Sequence, residues 1–257
     1  MVKSKQFALK ALALDGSLVQ AHAILGLLKE AFEWDWPGAE REYREAIELA
    51  PSESIPHYLY GRELFILGRR DEALAELQRA AALDPLSVRA LSELGRLYAV
   101  QGEHEKAMVE WTKAVEIEPA FPTTYEHMGL SYCQRGMLTE AIAALQKAIT
   151  VSPEDPLGAG VLGHCYATSG HPDEARNLLR GIEEQSRASY VDPMIPALVH
   201  VGLGETDQAL GLVEHACELH AILLPLMAGD ARFDPLRAAP RFQDVLRRIG
   251  LASRAAD

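Results

Sequence analysis

VRALSELGRLYAVQGEHEKAMVEWTKAVEIEPAF, residues 88–121, holds the pattern that most of the chain repeats. Leu94, Gly95 and Tyr98 lie three, four and seven residues beyond Leu91, so the four share one face of a helix. Gly102 breaks that helix, and its side-chain-free backbone suits a left-handed helix C-terminus. Ala107, Trp111 and Ala114 then mark the inner face of a second helix, and Pro119 closes the unit because it cannot continue a helix. Gly95 and Ala107 are small where two antiparallel helices must cross closely. Gly68, Gly102, Gly136, Gly170 and Gly204 are each 34 residues apart. Ala73, Ala107, Ala141, Ala175 and Ala209 keep the same step, as do Pro51, Pro85, Pro119 and Pro153. A fixed period of this length marks a chain of stacked supersecondary units.

The template fits on both sides of that stretch. His57, Tyr60, Gly61, Leu64, Gly68, Ala73, Leu77, Ala80 and Pro85 form the unit before it. Tyr125, Met128, Gly129, Tyr132, Gly136, Ala141, Leu145, Ala148 and Pro153 form the next, and Leu162, Gly163, Tyr166, Gly170, Ala175 and Leu179 the one after. These positions resemble the tetratricopeptide repeat, a 34-residue helix–turn–helix with Leu-Gly-x2-Tyr, a central Ala and a closing Pro. The resemblance implies an all-α, right-handed solenoid of antiparallel helix pairs.

Two further units depart from the pattern. Val19 to about Ser52 keeps Leu25, Gly26, Ala39, Tyr43, Ala46 and Pro51 but inserts one residue in a turn carrying Phe32, Trp34, Trp36 and Pro37. The two tryptophans read as staples of that end unit, since large aromatics dominate core packing. The last unit, about Tyr190 to Ala221, keeps Gly204, Ala209, Val213 and Ala216, with Pro193 and Pro196 in its first helix. Atypical units are expected at the ends of an array. Residues 1–16 read as a lone second helix, either a cap or the start of a cut repeat. Residues 17–221 read as six units, and 222–257 as a C-terminal cap. In that cap Asp234-Pro235 and Pro240 look like helix starts. Phe233, Leu236, Phe242, Leu246 and Ile249 are placed to cover the open end of the last unit.

The FEWDWPGAERE turn and the DARFDPLR segment look like one subgroup of bacterial repeat proteins. There the array is commonly the C-terminal part of a winged-helix transcriptional regulator, a serine/threonine kinase or a nucleotide cyclase. The 257 residues hold no such effector part, so the resemblance implies a sensing or partner-binding module in signalling.

Composition narrows the partners. The net charge is −12, which argues against nucleic acid and against an anionic membrane, and favours neutral or basic partners. Cys133, Cys165 and Cys217 form no CxxC pair, and reduced thiols in a cytoplasmic protein are the expectation. No apolar run approaches membrane-spanning length.

In this fold, positions 2, 5, 9 and 12 of each unit face the concave groove. The unit at Ser54 offers Tyr58, Arg62 and Phe65 there, and the next offers Arg89, Ser92 and Arg96. Glu126 and His164 follow at such positions, with His127 beside Glu126 at position 6. Arginines beside aromatic anchors are what peptide-binding hot spots use. The bland alternative pairs Arg62 and Arg96 with Glu63, Glu93 or Glu126. Chaperone-tail recognition is set aside, because Tyr58, Arg62, Glu93, Thr123 and His127 do not supply the Lys/Asn clamp it needs.

There is no Gly-rich phosphate loop, no GxSxG and no HExxH, so no catalytic residue, metal ligand or cofactor is assigned. The leading reading is therefore a non-catalytic scaffold for a protein or peptide. A small-molecule or catalytic variant with a pocket near Arg62, Arg96, Glu126, His127 and His164 is the second, and self-association through an exposed end the third.

Overall fold

The computed structural model describes residues 2–252. Met1 and residues 253–257, at the outer ends of the two expected caps, lie outside the described residues. Among the described residues there is no strand. Helix α1 (Val2–Leu14) precedes six antiparallel pairs. They are α2 (Val19–Leu28) with α3 (Trp36–Leu49), α4 (Ser54–Ile66) with α5 (Arg70–Leu83), and α6 (Val88–Val100) with α7 (His104–Ile117). Then come α8 (Pro122–Gln134) with α9 (Leu138–Val151), α10 (Leu157–Thr168) with α11 (Pro172–Ala188), and α12 (Met194–Gly202) with α13 (Thr206–Glu218). Helix α14 (Leu223–Ala228), a 3-10 turn at Ala231–Leu236 and α15 (Pro240–Arg248) follow.

The period has a direct packing cause. Ala73, Ala107 and Ala141 are fully buried where each second helix meets its first. A methyl group on Gly95 would lie 2.4 Å from Trp111 Nε1, so that crossing tolerates no side chain. Trp111 fills the space and its indole N–H donates to the Ser92 carbonyl at 3.0 Å. The turn glycines 68, 102, 136, 170 and 204 all have φ between 72° and 83°. That left-handed step lets the following amide reach back, as Glu103 N–H does to the Tyr98 carbonyl at 2.9 Å.

The two atypical units are built differently at their turns. The residue inserted in the first unit widens the end of α2 into a π-helical turn, Lys29–Glu33. Asp35 then starts α3 by accepting the Gly38 N–H at 3.1 Å, with Pro37 in the first turn. In the last unit Asp192 accepts the N–H groups of Met194 and Leu223 at 3.0 and 3.1 Å, tying α12 to α14.

The C-terminal segment departs from expectation. Asp234-Pro235 starts no helix. The 3-10 turn already begins at Ala231, where the Asp230 carboxylate accepts the Arg232 N–H at 2.9 Å, and Pro235 lies inside it. Pro240 does start α15. Phe233, Leu236, Phe242, Leu246 and Ile249 are buried, with Phe233 stacked on Phe242 at 6.4 Å. They do more than cover the last unit, because the curvature of the stack brings the first unit round to meet them. Trp36 donates its indole N–H to the Ile249 carbonyl at 2.7 Å, and Trp34 stacks on His220 at 4.2 Å. His220 Nδ1 also donates to the Phe32 carbonyl at 2.9 Å. The array is thus joined end to end across its concave side.

Candidate functional site

Helices α4, α6, α8 and α10 carry the concave positions, and the fold brings most of the expected residues together. Tyr58, Arg62, Arg89, Arg96 and Glu93 form one electrostatic cluster, in which burial first and then Glu93 raise the Tyr58 phenol above its usual range. The guanidinium of Arg96 lies 4.1 Å above the centre of the Phe65 ring, a cation–π contact, and its Nε donates to Glu93 at 2.8 Å. Arg62 donates to Glu30 at 2.7 Å, and the Tyr43 hydroxyl donates to the other oxygen of Glu30 at 2.9 Å. Glu30 is only 2% exposed, so this is an interior ion pair. Arg89 is the exposed member of this cluster, its guanidinium 5.8 Å from the centre of the Phe121 ring.

The basic spot is therefore not a free one. Of the three acids weighed as partners, Glu93 alone pairs, with Arg96. Arg62 takes Glu30, twelfth in its unit, while Arg62 is ninth in the next. Setting twelfth positions against the following ninth positions was the available signal. Glu63 faces inward on α4, with both carboxylate oxygens buried and without hydrogen-bond partners. Burial, reinforced by Glu30 and Glu40, pushes its carboxyl up to about 9.

Deeper along the groove, Ser92 and His127 share a hydrogen bond at 3.1 Å, and His164 Nδ1 donates to the Leu198 carbonyl at 3.1 Å. His127 is thus turned to Ser92. Cys133 instead approaches Thr168 at 4.0 Å, and a hydrogen bond with the free Cys165 thiol lowers its own thiol from the usual value. Among the described residues, no group of three or more His, Cys, Asp or Glu side chains is placed to hold a metal ion.

Arg232, which spacing gave no reason to place here, reaches into the same groove. It forms a two-pronged pair with Asp230, at 2.9 and 3.0 Å, and its side chain is 11% exposed. Its charge acts on Glu126, His127, His164, Cys133 and Cys165, so residues from two concave helices surround it. Burial drives His127 and His164 down to about 4, with Arg96 and then Arg232 adding to it at His127 and Arg232 at His164. Burial would raise Asp230, but the Arg232 charge and its hydrogen bonds bring it down to about 2. Burial, assisted by Asp155, raises Glu126 to about 8.

These shifts fix a pH dependence. Glu63 and Glu126 titrate near 9 and 8 when folded but near 4.5 when unfolded. Between pH 7 and 8 the folded chain holds protons that the unfolded chain has lost, so stability falls as pH rises. The buried histidines are neutral when folded and only partly protonated when unfolded near pH 7, so they oppose this trend by a few tenths of a kcal/mol at most. Urea midpoints should fall between pH 7 and 8, on the order of 1–2 kcal/mol in total. A Glu63→Gln/Glu126→Gln chain should show a flat profile over the same range.

Two family models match what the geometry displays: both are described as tetratricopeptide repeat, and they cover residues 58–123 and 133–192. The chain is a tetratricopeptide repeat protein. The array shares its fold with a thermophilic tetratricopeptide repeat protein of Thermus thermophilus, TM-score 0.64 at 21% identity over 72% of this chain and 98% of that one. It also resembles a tetratricopeptide repeat protein from Parabacteroides merdae, TM-score 0.66 at 14% identity over 97% of this chain and 92% of that one. Among curated proteins, the repeat array is similar to the transcriptional regulator HilA of Salmonella typhimurium, 32% identical over 98 residues. That stretch is 38% of this chain and 17% of the regulator's length. Among the described residues, no helix of the array is long and apolar enough to cross a membrane.

Proposed function

We propose that this repeat array is a non-catalytic scaffold that binds a polypeptide on its concave face, as the sensing part of a cytoplasmic signalling protein. The contact residues are Tyr58, Phe65, Arg89, Ser92, Arg96, Glu126, His127 and His164, with Arg62 holding the floor through Glu30. Residues 17–221 form the binding array, 1–16 its edge helix and 222–257 the closing segment. One observation carries the reading: a polypeptide segment, Asp230–Leu236, already reaches this face, and Arg232 is buried against it. The stretch shared with a transcriptional regulator supports a regulatory setting. The acidic charge of −12 favours a basic partner.

A Glu93→Gln/Arg96→Gln chain tests the assignment, because it removes both charges together and leaves neither partner of the pair as an unpaired buried ion. Proteins held by the native chain in a pull-down from its own cell lysate should be lost at least ten-fold, with the helical circular dichroism signal unchanged. Retention of the same proteins at the same yield would place the binding surface elsewhere.

Self-association has its own support at the other end. On α1, Phe7 is 68% and Leu14 90% exposed, an apolar edge of the kind a further helix covers within the array.

A further inference from the structure

Three local costs gather at one junction. Among the described residues, the non-glycine residues with left-handed backbones are Trp34 (φ 53°) and His220 (φ 50°). Their rings stack on each other, 11° from parallel, where the first unit meets the last. Bulky residues rarely adopt that conformation, and it persists only where the surroundings hold it. The π-helical turn Lys29–Glu33 leads directly into Trp34. The indole N–H of Trp34 is buried without an acceptor. Against these costs the junction sets the Trp36–Ile249 and His220–Phe32 hydrogen bonds and the ring stack. Gly250, with φ 74°, lets the chain turn against the Trp36 ring, where a methyl group would come within 3.0 Å.

The segment behind this junction has the character of a ligand. It leaves the 34-residue period and lies in the groove as a 3-10 turn. It brings its own counter-ion, since Arg232 is paired by Asp230 two residues earlier. Glu126, the acid of the groove floor beside it, makes no ion pair among the described residues. A groove built around Arg232 as a permanent core residue would have supplied the carboxylate itself.

We propose that residues 230–251 are a resident ligand of the concave face, released where Trp36 of the first unit meets Ile249 and Gly250. The partner it yields to is a polypeptide with the same chemistry: an arginine followed by an aromatic residue, with a carboxylate two positions before. This rests on the concave face being the binding surface, and it names both the partner class and the device that controls access. An incoming arginine takes the place of Arg232 beside Glu126, and its aromatic neighbour takes the buried site of Phe233.

The test uses the full chain and a fluorescein-labelled peptide of residues 228–251. An Arg232→Glu chain, whose resident segment carries the wrong charge, should bind the native-sequence peptide at least ten-fold tighter than the unaltered chain does. A peptide carrying Arg232→Glu should bind neither. Equal weak binding of the native peptide to both chains would overturn the proposal. Native-state hydrogen exchange of the unaltered chain gives a second readout that needs no variant to fold. The amides of Phe233, Arg237, Ile249 and Leu251 should open at least 100-fold more often than those of α8 and α9. Equal protection would make the segment a permanent part of the fold and end the idea. If the segment opens while the Glu93→Gln/Arg96→Gln chain still retains its partners, the concave-face reading fails instead.

Discussion

Replacing Arg62 with methionine should lower stability by about 3–5 kcal/mol, the cost of removing one partner from a buried ion pair. The carboxylate left behind is Glu30, 3% exposed in its side chain, with the Tyr43 hydroxyl as its one remaining donor. Burial already raises the Glu30 carboxyl above its usual range, so part of the cost is met by its taking a proton. The loss should therefore be larger at pH 8 than at pH 5. A Glu30→Gln/Arg62→Met chain should recover most of it, since buried pairs replaced together cost little. Urea denaturation of the three chains measures this, and a single-variant loss below about 1 kcal/mol would contradict an interior pair. The same geometry removes one attractive binding experiment. Charge reversal at Arg62 would place a third carboxylate beside Glu30 and Glu63, and lost binding would then report unfolding of the first units.

The second large effect is expected at Trp111. Its side chain is fully buried at the centre of the array, and Trp111→Ala should cost about 3–5 kcal/mol. In a stack each unit leans only on its neighbours, so the position of a lesion shapes the unfolding transition. A central loss separates α2–α5 from α8–α13, and melting followed by circular dichroism should broaden or split into two steps. A comparable loss at an end would only fray that end. A single sharp transition shifted as a whole would instead show that the junction of Trp36 with Ile249 couples the two halves.

The repeat was legible because it is written in local chemistry. A turn with φ near 80° selects glycine, a tight crossing selects Gly95 opposite Trp111, and a boundary selects proline. The concave residues were legible for the same reason, since a known helix phase gives each position a face. Their pairing was less so. Arg62 falls on the expected face, but its partner Glu30 belongs to the preceding unit, and only the offset between stacked helices sets them 2.7 Å apart. Trp34 and Trp36 read in the sequence as staples within an end unit, whereas they fasten the first unit to the last.

By itself, then, the sequence determined the helix pairs, their turns and which side chains share a face, because each depends on contacts within about one period. Only the tertiary structure decided what occupies the groove. The charge of Arg232 is brought to bear on Glu126 and His164, and Trp36 meets Ile249, through the accumulated curvature of the whole stack. No single repeat encodes that curvature. It is the sum of small rotations at every helix crossing, and it turns an array with two ends into one that holds its own C-terminal segment.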